Sequence, residues 1–175
     1  MSPFTPLETS RLLLREVVIA DAEAIFFLRS DPRVNAFVKR SQPQDLMAAK
    51  IFIAGIQDKQ QAGKIAYWGI QEKNKNGLIG TICLWNFSSD RTVAELGYEL
   101  HPEFQRQGIM GEALRCVMEY GRKNLRLDFI EAFTQFDNEA SVRLLLRNGF
   151  VREENRTDAD NPANLVFVSH LSDQN

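Results

Sequence analysis

The stretch from Thr92 to Ala113 constrains this chain more than any other. Thr92-Val93-Ala94-Glu95-Leu96-Gly97-Tyr98-Glu99-Leu100 alternates as a strand does, and Met110, Ala113, Leu114, Val117 and Met118 then recur at helical spacing. The polar run His101-Pro-Glu-Phe-Gln-Arg-Gln-Gly108-Ile-Met-Gly111 joins them. A strand that feeds a glycine-containing loop at the start of a helix leaves backbone N–H groups without internal partners at the positive end of the helix dipole. Such a place takes an anion, and a phosphate or pyrophosphate is the natural ligand. Gln105, Arg106 and Gln107 add side-chain donors, and Arg106 adds a full positive charge.

Three readings of this loop stand side by side. It is an ordinary connection in which Gly108 and Gly111 serve only the turn. It is a dinucleotide-binding turn, for which Gly108-x-x-Gly111 and Asp128 supply half of the pattern while Arg106 stands where the first glycine belongs. Or it is a Gln/Arg-x-x-Gly-x-Gly/Ala loop holding the pyrophosphate of coenzyme A, matched by Gln105-x-x-Gly108 and departing only at Met110. The Gly-Lys-Ser/Thr ending of a P-loop is absent.

A chain of 175 residues with a net charge of −2 predicts one domain, residues 1–175 with a core of about 7–171, and gives no reason to expect nucleic acid. No apolar run approaches a membrane span, and the opening Met-Ser-Pro-Phe-Thr-Pro-Leu-Glu lacks the basic and apolar regions of a secretion signal. Cys83 and Cys116 each lie in an apolar stretch, as buried thiols in a reducing compartment do. With only His101 and His170 beside them, no metal is expected. The expectation is a cytoplasmic, metal-free domain, monomeric or homodimeric.

Taken in order, residues 11–16 read as a strand, followed by a helix with Asp21 at its N-cap and Ala24, Ile25 and Leu28 inward, ended by Pro32. Ser41-x-x-Gln44 resembles a capping box for a second helix bearing Leu46, Ala49, Ile53 and Ile56 and closing near Gly63. Residues 64–72 and 78–87 alternate around Asn76-Gly77, a hairpin turn. The strand at 92–100, a helix at 108–123, a strand at 127–136 and a helix capped by Asp137-Asn138 and ended by Gly149 follow. Residues 150–155 and 165–170 close the chain as an antiparallel pair. The order β-α-α-β-β-β-α-β-α-β-β predicts an α/β fold, an α+β mixed sheet with helices on its faces.

That order, with Gln105-Arg106-Gln107-Gly108-Ile109-Met110 and Asn138-x-x-Ser141-x-x-Leu144 followed by Gly149-Phe150, resembles the GNAT superfamily of acetyltransferases. Leu7-Glu8-Thr9-Ser10-Arg11-Leu12-Leu13-Leu14-Arg15 and Ala94-Glu95-Leu96-Gly97-Tyr98 resemble its RimJ/RimL-like branch, which acetylates N-terminal amines of ribosomal proteins and includes members with other substrates. The resemblance spans about residues 7–171. It implies a splayed parallel strand pair, 92–100 and 127–136, forming the cofactor cleft, with acetyl-CoA as cosubstrate. It places Leu100, His101, Gln105, Arg106, Gln107, Gly108, Ile109, Met110 and Gly111 at the cofactor. The amides from about Arg106 to Gly111 hold the pyrophosphate, and the strand edge near Leu100 pairs with the pantetheine amides. Asn138 binds the pantetheine arm, and Ser141 donates to the departing thiolate.

The chemistry asks for a neutral amine, a donor for the oxyanion and a proton for the thiolate. Near pH 7.4 roughly a quarter of a protein α-amine is already neutral, against about one part in a thousand of a lysine. A carboxylate acting through water therefore suffices for an α-amine. Glu95 and Glu99 share one strand face and are the candidates, Glu99 first for its place near the cleft floor, with Glu131 as a third. A backbone N–H near Leu100 is the expected oxyanion donor. Substrate contacts are expected from Arg33, Asn35 and Phe37 and from residues 157–164, where Asp158 and Asp160 suit a cationic amine. The expected activity is transfer from acetyl-CoA to a primary amine, foremost a protein N-terminus, directly in a ternary complex. The alternatives are a small amine (amino acid, polyamine, drug) or a non-catalytic coenzyme A-binding or regulatory domain.

Overall fold

Eight strands form one mixed sheet in the computed structural model, which describes residues 4–171. Residues 1–3 and 172–175, the outer ends of the predicted domain and the first part of the stretch read for a secretion signal, lie outside the described residues. The elements are β1 (Leu7–Glu8), β2 (Leu12–Arg15), α1 (Ala22–Ser30), α2 (Leu46–Gln61), β3 (Ala66–Glu72), β4 (Gly80–Trp85), β5 (Val93–Leu100), α3 (Ile109–Lys123), β6 (Phe129–Gln135), α4 (Glu139–Arg147), β7 (Val151–Arg152) and β8 (Asn164–His170). The strands lie in the order β1-β2-β3-β4-β5-β6-β8-β7. Every neighbouring pair is antiparallel except β5 and β6.

Alternation along the strands sorts the apolar side chains into two cores. Leu12, Leu14, Trp68, Ile70, Ile82, Leu84, Leu96 and Phe167 face Ile109, Leu114 and Val117 of α3 and Leu145 of α4. On the opposite side Val17, Tyr67 and Leu78 pack beneath Ile25 and Leu28 of α1 and Ala49, Ile53 and Ile56 of α2. Helices thus cover both faces. Even positions of β5 point toward α3 and α4, odd ones toward the side that carries α1 and α2.

Local chemistry departs from the expected boundaries in four places. The opening strand is preceded by the two-residue β1, paired Leu7↔Leu14 and Glu8↔Leu13. Asp21 stands at the N-cap of α1 but its carboxylate binds Arg15 at 2.8 Å and the Val18 N–H at 2.9 Å, ending the 3₁₀ turn Ile19–Asp21 instead of capping the helix. Ser41 and Gln44 form no capping box. Asp45 caps α2, its carboxylate accepting the Ala48 N–H at 2.8 Å where charge and helix dipole reinforce each other. The strand expected over 150–155 shrinks to Val151–Arg152, because the Phe150 N–H is held by the Leu145 carbonyl at the end of α4.

Candidate active site

Strands β5 and β6 pair through Val93↔Phe129, Ala94↔Ile130 and Glu95↔Glu131, and there the ladder stops. Beyond it β6 stays with β8 as far as Gln135↔Asn164, and β5 stays with β4 as far as Gly80↔Leu100. Each strand follows its own antiparallel neighbour, so the two halves of the sheet diverge. The His101 N–H donates to the Ile79 carbonyl at 2.8 Å, and the register carries that pattern back along the strand. Odd residues of β5 therefore turn their backbone groups toward β4, and Leu96, Tyr98 and Leu100 turn theirs into the gap. That edge can accept an extended, amide-bearing ligand as an added strand. The expected splayed pair is present.

Ser141 lies on the α3/α4 side of the gap, in the first turn of α4. Asn138 caps this helix, its Oδ1 accepting the Ser141 N–H at 3.2 Å and leaving its NH₂ as the donor end. The Ser141 hydroxyl meets the Tyr98 hydroxyl at 2.5 Å, a bond that crosses from β5 to α4. Ser141 is 9% exposed, and burial pushes the Tyr98 phenol up to about 12 despite the Ser141 hydrogen bond. Tyr98 is therefore a neutral donor at neutral pH. Strand alternation alone puts it on the α3/α4 face, opposite Glu95 and Glu99, and this was the signal by which sequence reasoning could have found it.

The carboxylates lie on the other face. Glu99 is held by Arg40 at 2.6 Å and accepts the Thr81 hydroxyl at 3.3 Å, with its side chain 9% exposed. Glu131 is held by Arg156 at 2.6 Å. Glu95 alone of the three has no cationic partner among the described residues, and only the Asn86 amide donates to it, at 3.2 Å. Burial raises its pKa, opposed by that hydrogen bond, and Asp158, Glu131 and Asp160 push it further up. A carboxyl so placed holds a proton more readily than an ordinary carboxylate, whereas Glu99, the position preferred from the strand pattern, is bound up in its ion pair with Arg40.

The segments expected to meet the acceptor border this face. Arg40, which the sequence pattern missed, ties the first of them to β5 by bonding Glu99, the Asn35 Oδ1 at 2.8 Å and the Leu28 carbonyl at 3.2 Å. Asn35 is consumed in that brace, its NH₂ donating to the Leu28 and Asp31 carbonyls. Arg33 pairs with Asp31 but its side chain stays 64% exposed, and Phe37 is also exposed. Lys39 reaches Asn161 at 3.5 Å, joining this segment to the loop before β8. In that loop Asp158 accepts from the Asp160 N–H and the Asn164 amide.

The loop after β5 is built for backbone donors. Gly108 is the N-cap of α3 at φ +74°, and Arg106 holds φ +61°, a left-handed conformation costing a non-glycine residue about 1–2 kcal/mol. The first intrahelical bond of α3 runs from the Glu112 N–H to the Gly108 carbonyl at 3.1 Å. The N–H groups of Ile109, Met110 and Gly111 precede it and have no helical acceptor. Side chains fix the loop: Gln105 donates to the Leu100 carbonyl at 3.1 Å and Gln107 to the Glu103 carbonyl at 2.7 Å. Met110, the departure from the expected pattern, is buried in the core beside Ile109. The His101 ring stacks on Phe27 at 4.3 Å and its Nδ1 accepts the Glu103 N–H at 3.3 Å. The dinucleotide reading fails, since Asp128 immediately precedes β6, level with the start of β5 and a full strand length from this loop.

Among the described residues no cluster of His, Cys, Asp and Glu could hold a metal ion, and no helix is long and apolar enough to cross a membrane. A diverging parallel pair opens this sheet, with a strand edge and the open N–H groups of the α3 start beside the opening and the carboxylates on the opposite face. A model of the acetyltransferase (GNAT) domain matches residues 11–151. The chain belongs to the GNAT acetyltransferases. It is 37% identical over 150 residues to the N-acetyltransferase YoaA of Bacillus subtilis (strain 168), covering 86% of this chain and 85% of that one. The ribosomal-protein-serine acetyltransferase of Escherichia coli (strain K12) is 33% identical over 76 residues, 43% of this chain and 42% of that one. The fold matches that of RimL, a ribosomal L7/L12 alpha-N-protein acetyltransferase solved with coenzyme A, with a TM-score of 0.78 at 20% identity over 95% of this chain and 98% of that one.

This GNAT protein is accordingly an acetyl-CoA-dependent acetyltransferase. The residues present fit that cosubstrate on three counts: the orphan N–H groups of Ile109 to Gly111, the open edge of β5 and the donors at Asn138 and Ser141. Neither thiol is placed for covalent catalysis. Burial pushes Cys83 up to about 12, and Cys116 lies on α3, its thiol also raised by burial.

Proposed function

We propose that this acetyltransferase, of the RimJ/RimL-like branch, moves the acetyl group to a protein N-terminal α-amine by direct transfer in a ternary complex. The observation that carries the reading is the opening between β5 and β6, which has hydroxyl donors on one face and a poorly paired carboxylate on the other. The backbone N–H groups of Ile109, Met110 and Gly111, with Gln105, Arg106, Gln107 and Gly108 around them, hold the pyrophosphate. Leu96 and Tyr98 offer backbone groups to the pantetheine, joined by the Asn138 amide. The Leu100 N–H is the oxyanion donor.

As the thioester C–S bond breaks, Ser141 gives its proton to the departing sulfur and takes the Tyr98 proton in its place, and Tyr98 is reprotonated from solvent after the thiol leaves. Glu95, acting through water, takes the proton of the attacking amine, a step that asks little of a base when the amine has a pKa of about 7.7–8.0. Glu99 braces the acceptor side through Arg40. The exposed Arg33 and Phe37 line the approach. A ribosomal-protein acceptor is supported by the E. coli relative, which by its name acts on a ribosomal-protein serine.

The test mixes protein, acetyl-CoA and a panel of amines (peptides with free α-amines, α-blocked peptides with free lysine, amino acids, polyamines and drug amines) and follows free thiol. Release with free α-amines and little with α-blocked peptides is the expected outcome. Release only with small amines would move the acceptor to that class, and coenzyme A binding without thiol release from any amine would contradict the proposal.

A further inference from the structure

In the loop read as the pyrophosphate site Arg106 sits in the left-handed region, which costs a non-glycine residue energy, and contacts from outside the loop brace the turn. The brace comes from Thr9-Ser10-Arg11, about a hundred residues earlier in the chain. Arg11 donates from Nη1 to the Gln107 carbonyl at 3.1 Å and from Nε to the Glu112 carboxylate at 2.7 Å. The Arg11 N–H donates to the same carboxylate at 3.0 Å, the Ser10 hydroxyl at 3.2 Å, and the Thr9 hydroxyl also bonds it. The guanidinium lies against the turn itself, for a Cβ added to Gly108 would stand 3.6 Å from Nη2.

Glu112 is the odd partner in this arrangement. It lies in the first turn of α3, the helix whose start is to receive a multiply charged anion, and its side chain is only 13% exposed. Burial would raise its pKa, but the Thr9 and Arg11 hydrogen bonds outweigh that and hold it at about 2, so it is ionised. An unpaired carboxylate there would repel the pyrophosphate through a poorly screened path. Arg11 cancels that charge while the same guanidinium fixes the Gln107 carbonyl.

From this geometry we infer that Arg11 and Glu112 are positioning residues for the cosubstrate: a clamp that sets the shape of the 105–111 loop and neutralises the helix start for the pyrophosphate. The inference rests on the reading of that loop as the pyrophosphate site. Neither residue touches the reacting atoms, so the clamp acts on donor binding and not on the chemical step.

The test compares two acetyl donors, acetyl-CoA and S-acetylpantetheine, which has the same thioester arm but no pyrophosphate. Arg11→Met is expected to raise the KM for acetyl-CoA about tenfold, equivalent to about 1.4 kcal/mol, with kcat within about twofold and the KM for S-acetylpantetheine unchanged. Arg11→Lys, which keeps the charge but cannot bridge both partners, falls between wild type and Met and serves if the Met variant does not fold. Arg11→Met combined with Glu112→Gln regains most of the loss, because the unpaired charge is gone. Equal losses with both donors, or a double variant no better than the single, would overturn the clamp. A wild-type enzyme with the same KM for both donors would remove the loop reading, and the clamp with it. Wild-type discrimination that the variants leave intact would remove the clamp alone.

Discussion

At the last rung of the parallel ladder Glu95 stands across from Glu131, and burial has left it with a raised pKa and one weak donor. A raised folded-state value means that the folded protein binds the proton more tightly than the unfolded chain, so stability falls as pH rises through the folded pKa. Once ionised, Glu95 is therefore a cost to the fold, of the kind found where function sets the residue. Glu95→Gln is expected to raise Tm at pH 7 while lowering kcat about 100-fold. Its pH profile should also lose an acid limb lying above the ordinary carboxylate value of about 4.3, and keep the limb set by the acceptor amine near 7.7–8.0. Thermal melts and pH–rate profiles of the variant check this; unchanged kcat would remove Glu95 from the mechanism. Strand period placed Glu95 and Glu99 on one face, and position along the strand put Glu99 first. What turns the preference toward Glu95 is the Arg40 ion pair of Glu99, and Arg40 arrives from a segment with no period to read.

At the scale of the elements, the shape of the gap depends on how closely β4 approaches the end of β5. A Cβ added at Gly80 would lie 2.6 Å from the Glu99 carbonyl oxygen and 2.9 Å from the Leu100 side chain, and backbone cannot yield as a flexible side chain can. Gly80→Ala should cost about 1–3 kcal/mol of stability and push the β5 edge out of line, weakening acetyl-CoA binding more than a surface substitution of equal stability cost. Calorimetric melts paired with coenzyme A titrations measure both; a variant with wild-type Tm and affinity would show that the contact relaxes freely. The long elements here were legible: the strand expected at 92–100 is Val93–Leu100, and the helix expected at 108–123 is Ile109–Lys123. Both have enough repeats for a period to show. The two-residue strands β1 and β7 have none, and the start of α2 was misplaced because Ser41 and Asp45 are both good caps and only the packing of Ala49, Ile53 and Ile56 decides between them.

Over the whole molecule, the sheet is both scaffold and partition. Two cores hold its faces apart, and it opens at one place, where β6 leaves β5 for β8. The hydroxyl pair proposed to serve the leaving sulfur and the carboxylate proposed to receive the amine's proton lie on opposite faces and meet only through that opening. The opening was foreseeable from the resemblance to the GNAT acetyltransferases, which implies a splayed parallel pair at 92–100 and 127–136. The Tyr98–Ser141 bond across it was not, because each residue has an ordinary role on its own element, a packed aromatic and a helix-start serine. The pair is proposed to serve bond cleavage and not binding, and Ser141→Ala separates the two. Single-turnover transfer measured beside coenzyme A affinity should show a rate about 100-fold lower with Kd within about twofold. Equal losses in rate and affinity, or an unchanged rate, would contradict it.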